Sequence, residues 1–300
     1  MRSHVAIGLS LFALIPIASV HAQQNDKEKP APPTAAKQIE FATEAMKKAD
    51  VKVTRIVETQ RLIVATSMPE TKAKPLAENL EKVYLVASKA LKFEAADEKA
   101  KLVVFVFTDL DQYRQFKRSV VKERPDDGET ASHDVKRDDP FVAVSARRGE
   151  KSPNFEALAA SELCRALLAK KGGNARLPEW MKSGFARAVQ MRTDPRSIGG
   201  DRQAVARLAP KLAKGAKGTP VADKAWTGED KERDLVAASL MDFLTFGPGS
   251  EKLGSLLSAL VPTAAIDEPT FAAALMGDWT LEDLDRAWRD WIAKGSPASK

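Results

Sequence analysis

The chain reads as an α+β protein in which an N-terminal strand layer with helices is followed by a mainly helical half. Three observations carry this expectation. Short runs rich in Val, Ile, Phe and Thr fall between residues 51 and 146, a single helical period governs nearly everything after Asn154, and no repeat of fixed period is present. The 300 residues carry 47 Lys+Arg against 41 Asp+Glu, and 44% are hydrophobic, so the chain has enough apolar side chains to bury a sizeable core.

The first 22 residues stand apart. Met1 and Arg2 precede an apolar run, Val5 to Val20, that is closed by Val20-His21-Ala22. A basic start, an apolar middle and a small-residue site predict a secretory signal cleaved after Ala22, hence a secreted or periplasmic protein. Retention as an anchor is the alternative, but the run falls short of the ~20 residues a spanning helix needs and contains Pro16. Residues 23–37, with Pro30, Pro32 and Pro33, predict an extended tether. The domain is then residues 38–296, with 297–300 as a tail.

Val51 to Glu58 and Arg61 to Ser67 predict two short strands, separated by the polar pair Thr59-Gln60. Leu76, Leu80, Val83, Tyr84, Ala87 and Leu91 then recur at helical spacing, and Pro75 near the start suits the first turns. Leu102 to Phe107 is a continuous apolar strand that feeds a helix directly, with Thr108 as its expected cap. The stretch from Asp126 to Asp134 predicts a solvated loop carrying His133. Phe141 to Ala146 predicts another strand.

Asn154 can cap a helix over Phe155 to Lys170 that is apolar almost all round, which predicts a buried helix. Glu162 lies within its apolar stripe. A buried carboxylate without a partner is too costly to keep ionised, so Glu162 demands one.

Composition excludes several chemistries. Two of the three histidines, His4 and His21, belong to the signal, which leaves His133 and Cys164. One such chain cannot build a two-histidine zinc site, a multi-cysteine site or an internal disulfide. Acids and bases are interleaved throughout, and the densest basic stretch, Arg207 to Lys217, lacks aromatics, so no nucleic-acid partner is expected. Ser119-Val120-Val121-Lys122 matches the S-x-x-K of penicillin-recognising enzymes without the companion motifs, and reads as chance. Cys164, among apolar neighbours, reads as an inert core thiol, and Trp279, Trp288 and Trp291 read as core.

The stretch Ala160-Ser161-Glu162-Leu163-Cys164-Arg165-Ala166, followed by Leu177-Pro178-Glu179-Trp180-Met181-Lys182-Ser183-Gly184-Phe185-Ala186, resembles the secreted peptidase-MA-like, gluzincin-type metallopeptidases. That family carries an H-E-x-x-H helix and then an L-P-x-W-x-x-E-G-x-A segment whose Glu is the third zinc ligand. Ala238 to Leu244 and Phe271 to Trp291 resemble its later helices, so the likeness spans roughly residues 50 to 293. It implies a zincin-like fold with a cleft between the strand layer and the helical half.

The departures fall on the chemistry. In H-E-x-x-H two histidines one turn apart hold Zn²⁺ while the Glu takes a proton from the bound water. Here the ligand positions are Ser161, Arg165 and Ser183, and only the general-base position, Glu162, is kept. Zinc is therefore expected to be absent, with no cofactor in its place and no catalytic residue left. Glu162 is expected to pair with Arg165, Arg187 or both, their charge standing in for the metal. Gly184 is expected to let its helix approach that of Glu162.

The expected function is a catalytically inactive, exported pseudopeptidase that binds a peptide, a protein or an envelope component, without an integral membrane span. By position in the resembled family, the peptide-binding edge strand would be Phe141, Val142, Ala143 and Val144. Two alternatives stay open: a hydrolase using Glu162 with non-histidine ligands or other carboxylates, and a structural envelope protein.

Overall fold

A five-stranded mixed sheet sits between two helical layers in the computed structural model of the chain. The structure describes residues 33–94, 100–193, 204, 207, 230–266 and 279–296. These belong to one compact unit, Pro32–Lys300, and the other unit, Met1–Ala31, lies outside the described residues. So do residues 1–22, where a signal is expected, the basic stretch apart from Arg207, Trp226, which the sequence offers as an exposed contact residue in a polar loop, Phe271 and the tail 297–300.

The first helix, α1 (Ala35–Lys48), was not expected. Thr34 caps it by accepting from the Lys37 amide, and Ala42, Ala45 and Met46 are buried. The helix therefore begins inside the stretch 23–37 that was expected to be extended, because Thr34-Ala35-Ala36 is a cap followed by two strong helix formers.

Strands β1 (Arg55–Glu58) and β2 (Leu62–Thr66), the two expected strands, form an antiparallel hairpin, and α2 (Glu70–Ala90) follows as one helix. Strand β3 (Leu102–Phe107) lies parallel to β2 and passes into α3 (Leu110–Phe116), which runs on as a π-turn, Lys117–Val121. Asp109, not Thr108, caps α3, accepting from the Asp111 amide at 2.6 Å, while the Thr108 hydroxyl is 2.8 Å from that of Ser67. Then come β4 (Ala131–Asp134) and β5 (Phe141–Ser145), giving the order β1-β2-β3-β5-β4 with β2, β3 and β5 parallel.

This order corrects one expectation. Phe141 to Val144 lie between β3 and β4, so β5 is interior and the edge on this side of the sheet is β4. The physical sign is burial on both faces: every residue of β2, β3 and β5 is buried, as a central parallel strand covered on both sides requires. Ile63, Phe105, Phe107, Phe141 and Ala143 face α1 and α3, where Phe105 and Phe116 rings stand 4.8 Å apart. Val64, Val104, Val106, Val142 and Val144 face α2 and the helical half.

That half begins with α4 (Phe155–Gly172), capped as expected by Asn154, whose Oδ1 accepts from the Ala157 amide at 3.0 Å. It continues through α5 (Glu179–Thr193), α6 (Asp230–Phe246), the short α7 (Leu253–Ala259) and α8 (Leu281–Ala293). Gly184 does serve a close approach, but to α6 rather than α4. A Cβ there would lie 2.6 Å from the Ala237 carbonyl oxygen. Next to Met191 in sequence, Arg192 grips Asp242 of α6 with both Nε, at 2.7 Å, and a terminal nitrogen, at 2.8 Å. The buried Trp288 indole donates to the Ser239 hydroxyl at 3.0 Å, tying α8 to α6. No described helix is long and apolar enough to cross a membrane.

Candidate functional site

The segment read as a solvated loop turns out to supply the edge strand. A turn at Asp126–Gly128, with Gly128 at φ 84°, reverses the chain, and the Glu129 amide donates back to the Asp126 carbonyl. Glu129 then anchors the start of β4: its carboxylate accepts from the Tyr113 hydroxyl at 2.6 Å and the Asp126 amide at 2.9 Å, and lies 3.1 Å from the Lys117 ammonium. Burial alone would raise the Glu129 carboxyl, but these bonds outweigh it and hold the group below its ordinary value. Burial and the bond to Glu129 raise the Tyr113 phenol. Burial pushes Lys117 down, yet its bonds to Glu123 and Glu129 prevail and leave it raised.

Alternation along β4 sets its two faces. Ala131 and His133 turn toward α4, with Val135 packed on the same core, whereas Ser132 turns to the Tyr113 side. The backbone also alternates. The Ser145 amide donates to the Thr130 carbonyl at 2.7 Å, so Thr130 and Ser145 form a hydrogen-bonded pair, and in the register Ala131↔Val144, Ser132↔Ala143, His133↔Val142 the bonded pairs fall at every second residue. Ser132 and Asp134 thus bond to β5, and Ala131 and His133 direct their N–H and C=O groups away from the sheet.

Glu162 is where the sequence placed it, within α4 and 8% exposed. Its partner differs. Nδ1 of His133 lies 2.7 Å from Glu162 Oε1, and among the described residues neither Arg165 nor Arg187 bonds to that carboxylate. Arg165 reaches instead to Glu179 at the start of α5, whose other oxygen is 2.9 Å from Lys182. Burial would raise the Glu179 carboxyl, and these two cations hold it below its ordinary value. At i+3 Arg165 is within reach of Glu162, but His133 occupies that carboxylate and Arg165 turns across to the acid at the start of α5.

Three expected site residues do converge. Ser161, Ser183 and Arg187 line one open cleft of about 480 Å³ between α4 and α5, together with Glu150, Asn154 and Gln190 over the apolar Ala157 and Leu158. Ser183 donates to the Glu179 carbonyl of its own helix at 3.0 Å, and among the described residues Ser161 has no such partner.

These positions do not fit zinc. Two hydroxyls and a guanidinium already engaged with Glu179 are not the nitrogen, thiolate or carboxylate donors the ion takes. Among the described residues no group of three His, Cys, Asp or Glu side chains could hold a metal. Cys164 is fully buried, and burial pushes its thiol up, away from nucleophilic use. Ser119 spends its hydroxyl on the carbonyls of Gln115, at 2.6 Å, and Lys48, at 3.1 Å.

His133 is the functional candidate that the sequence reading discounted. The available signal was the period-two spacing of Ala131, His133 and Val135, hidden by the polar residues between them. Scanned against models of protein families and compared with curated proteins, the chain matches none.

Proposed function

We propose that this chain is an exported, catalytically inactive scaffold of the gluzincin type that binds an extended peptide or protein segment by adding it to the outer edge of β4. The observation that carries this reading is the bond between His133 and Glu162. It fastens an edge strand, with two backbone positions directed outward, to the helix that would hold the metal in a zinc peptidase. Strand addition draws its affinity from main-chain hydrogen bonds and needs no metal. The polar sequence of β4 suits this role, because an apolar edge would pair indiscriminately. Glu162 is bonded to His133 and flanked by Ser161 and Arg165 where the resembled peptidases carry their histidines, which suits an anchor better than a general base.

The test is binding of a fluorescent pool of randomised heptapeptides to the full chain and to Ala131→Pro. Proline at residue 131 removes an outward N–H while leaving the bonded pairs with β5 intact. Saturable binding that Ala131→Pro abolishes, with the peptides recovered uncut, is the expected result. Cleavage of the pool, or binding indifferent to proline, would overturn the reading.

A further inference from the structure

We propose that the face formed by the C-terminal ends of α2 and α4 together with α7 seats the protein on a membrane surface rich in anionic lipid. Attachment of this kind is independent of the edge of β4. Residues 89–94, 170–174 and 248–261 carry five lysines against two acids, Glu94 and Glu251, a surplus of three within a chain whose whole formal charge is +6. The fold brings the three segments together. Lys171 Nζ donates to the Lys92 carbonyl at 3.2 Å, Lys92 Nζ lies 3.5 Å from the Ser250 carbonyl oxygen, and the Lys170 and Lys171 ammoniums stand 5.7 and 5.6 Å from the centroid of the Phe93 ring. Carbonyls and a ring position a lysine without cancelling its charge, and among the described residues neither Lys92 nor Lys171 forms an ion pair with an acid. Lysines at the end of a helix ordinarily answer its dipole. Lys171 reaches instead to the end of α2, where Lys92 holds the left-handed region at φ 52°, a place glycine takes without strain.

What adjoins these lysines is open and mainly apolar. A groove of about 800 Å³ lies between Lys171 and α7, lined by Leu257, Ala259 and Val261 with Gly254 and Ser255. Past Val261 the chain closes a turn, in which the Thr263 amide donates to the Ile266 carbonyl at 2.9 Å and the Ile266 side chain is left 51% exposed. An enclosed small anion would need a pocket with donors aimed at it. A charged bilayer does not: its surface potential acts on each ammonium within a Debye length, worth about five-fold in partition per lysine, while the interface takes up neighbouring apolar groups. Lysines already held by carbonyls, beside a groove open to water, suit that partner.

The experiment labels the amines of the full chain with acetic anhydride, read residue by residue by mass spectrometry. One sample holds phosphatidylcholine vesicles, a second holds vesicles of equal parts phosphatidylcholine and phosphatidylglycerol, and a third holds soluble polyphosphate. Labelling of Lys92 and Lys171 should slow by about five-fold or more on the anionic vesicles and not on the neutral ones. Lys47 and Lys48 of α1, exposed on the far side of the sheet, should label as before. Reading each residue separately keeps insertion of the apolar run Val5 to Val20 from imitating the result. Lys92→Gln with Lys171→Gln should also lower partition onto anionic relative to neutral vesicles by about ten-fold or more, whereas Lys47→Gln with Lys48→Gln, which removes the same charge, should leave it within about two-fold. Equal slowing of all four lysines, or an equal loss in both double variants, reports attraction to net charge alone and overturns the assigned face. Slowing by polyphosphate but by neither vesicle overturns lipid as the partner. Slowing in none of the three samples overturns the proposal outright, and leaves peptide binding at β4 untouched.

Discussion

His133 Nδ1 and Glu162 Oε1 stand 2.7 Å apart, joining the edge strand of the sheet to the centre of a buried helix across 29 residues of sequence. The pair explains how a carboxylate 8% exposed is tolerated in α4, and how a four-residue strand that pairs on one side alone among the described residues keeps its place. Removing one partner should therefore cost more than removing both. His133→Ala leaves Glu162 buried without its bond and should lower stability by about 1–3 kcal/mol, whereas His133→Leu with Glu162→Met should come close to wild type. Urea unfolding of the single and double variants reads the coupling directly. Arg165→Ala, which loses only a bridge to the exposed Glu179, should change stability by less than about 1 kcal/mol. If His133→Ala proved as silent as Arg165→Ala, the anchoring role would be lost.

Gly184 is a packing residue of a different interface. A Cβ at residue 184 would come 2.6 Å from the Ala237 oxygen and 2.8 Å from its carbon, and backbone cannot rotate away as a side chain can. Gly184→Ala should force α5 and α6 apart and destabilise the protein by about 1–3 kcal/mol, despite the better helix propensity of alanine. A melting temperature equal to or above wild type would contradict the close approach.

The cluster beneath β4 predicts a two-sided pH dependence. Glu129 is held below its ordinary value of 4.5, so its contribution is present above that pH and is lost as pH falls through the lowered value. Lys117 and Tyr113 are raised above their ordinary values of 10.5 and 10.0, so theirs is full below those values and is lost as pH rises through the raised ones. Stability against urea should fall on both sides, and Glu129→Gln should flatten the acid limb. An acid limb unchanged by that substitution would remove Glu129 from the account.

What could be read in the sequence follows from where information about burial resides. β2, β3 and β5 were evident because both their faces are covered, which forces continuous apolar runs, and α4 was evident from its apolar circumference and the Asn154 cap. β4 was not, since it is half-buried throughout and carries Ser132 and Asp134, residues that also populate loops. The burial of Glu162 could be deduced from its helix, but its partner could not. Arg165 was the nearest cation in sequence, and only strand pairing with β5 brings His133 to it. The same holds for Gly184, whose need for a close neighbour was visible while the identity of that neighbour, Ala237, depended on how α6 packs. α1 escaped notice beside the proline-rich segment, although Ala42, Ala45 and Met46 follow helical spacing.

The central claim is that the helix bearing Ser161, Glu162 and Arg165 holds an edge strand instead of a metal, and metal content tests it most directly. The full 300-residue chain, expressed and dialysed against trace zinc, is weighed for metal by elemental mass spectrometry. The account predicts zinc far below one ion per chain, unchanged in Glu162→Gln. About one tightly held zinc per chain, lost in His133→Ala, would contradict it.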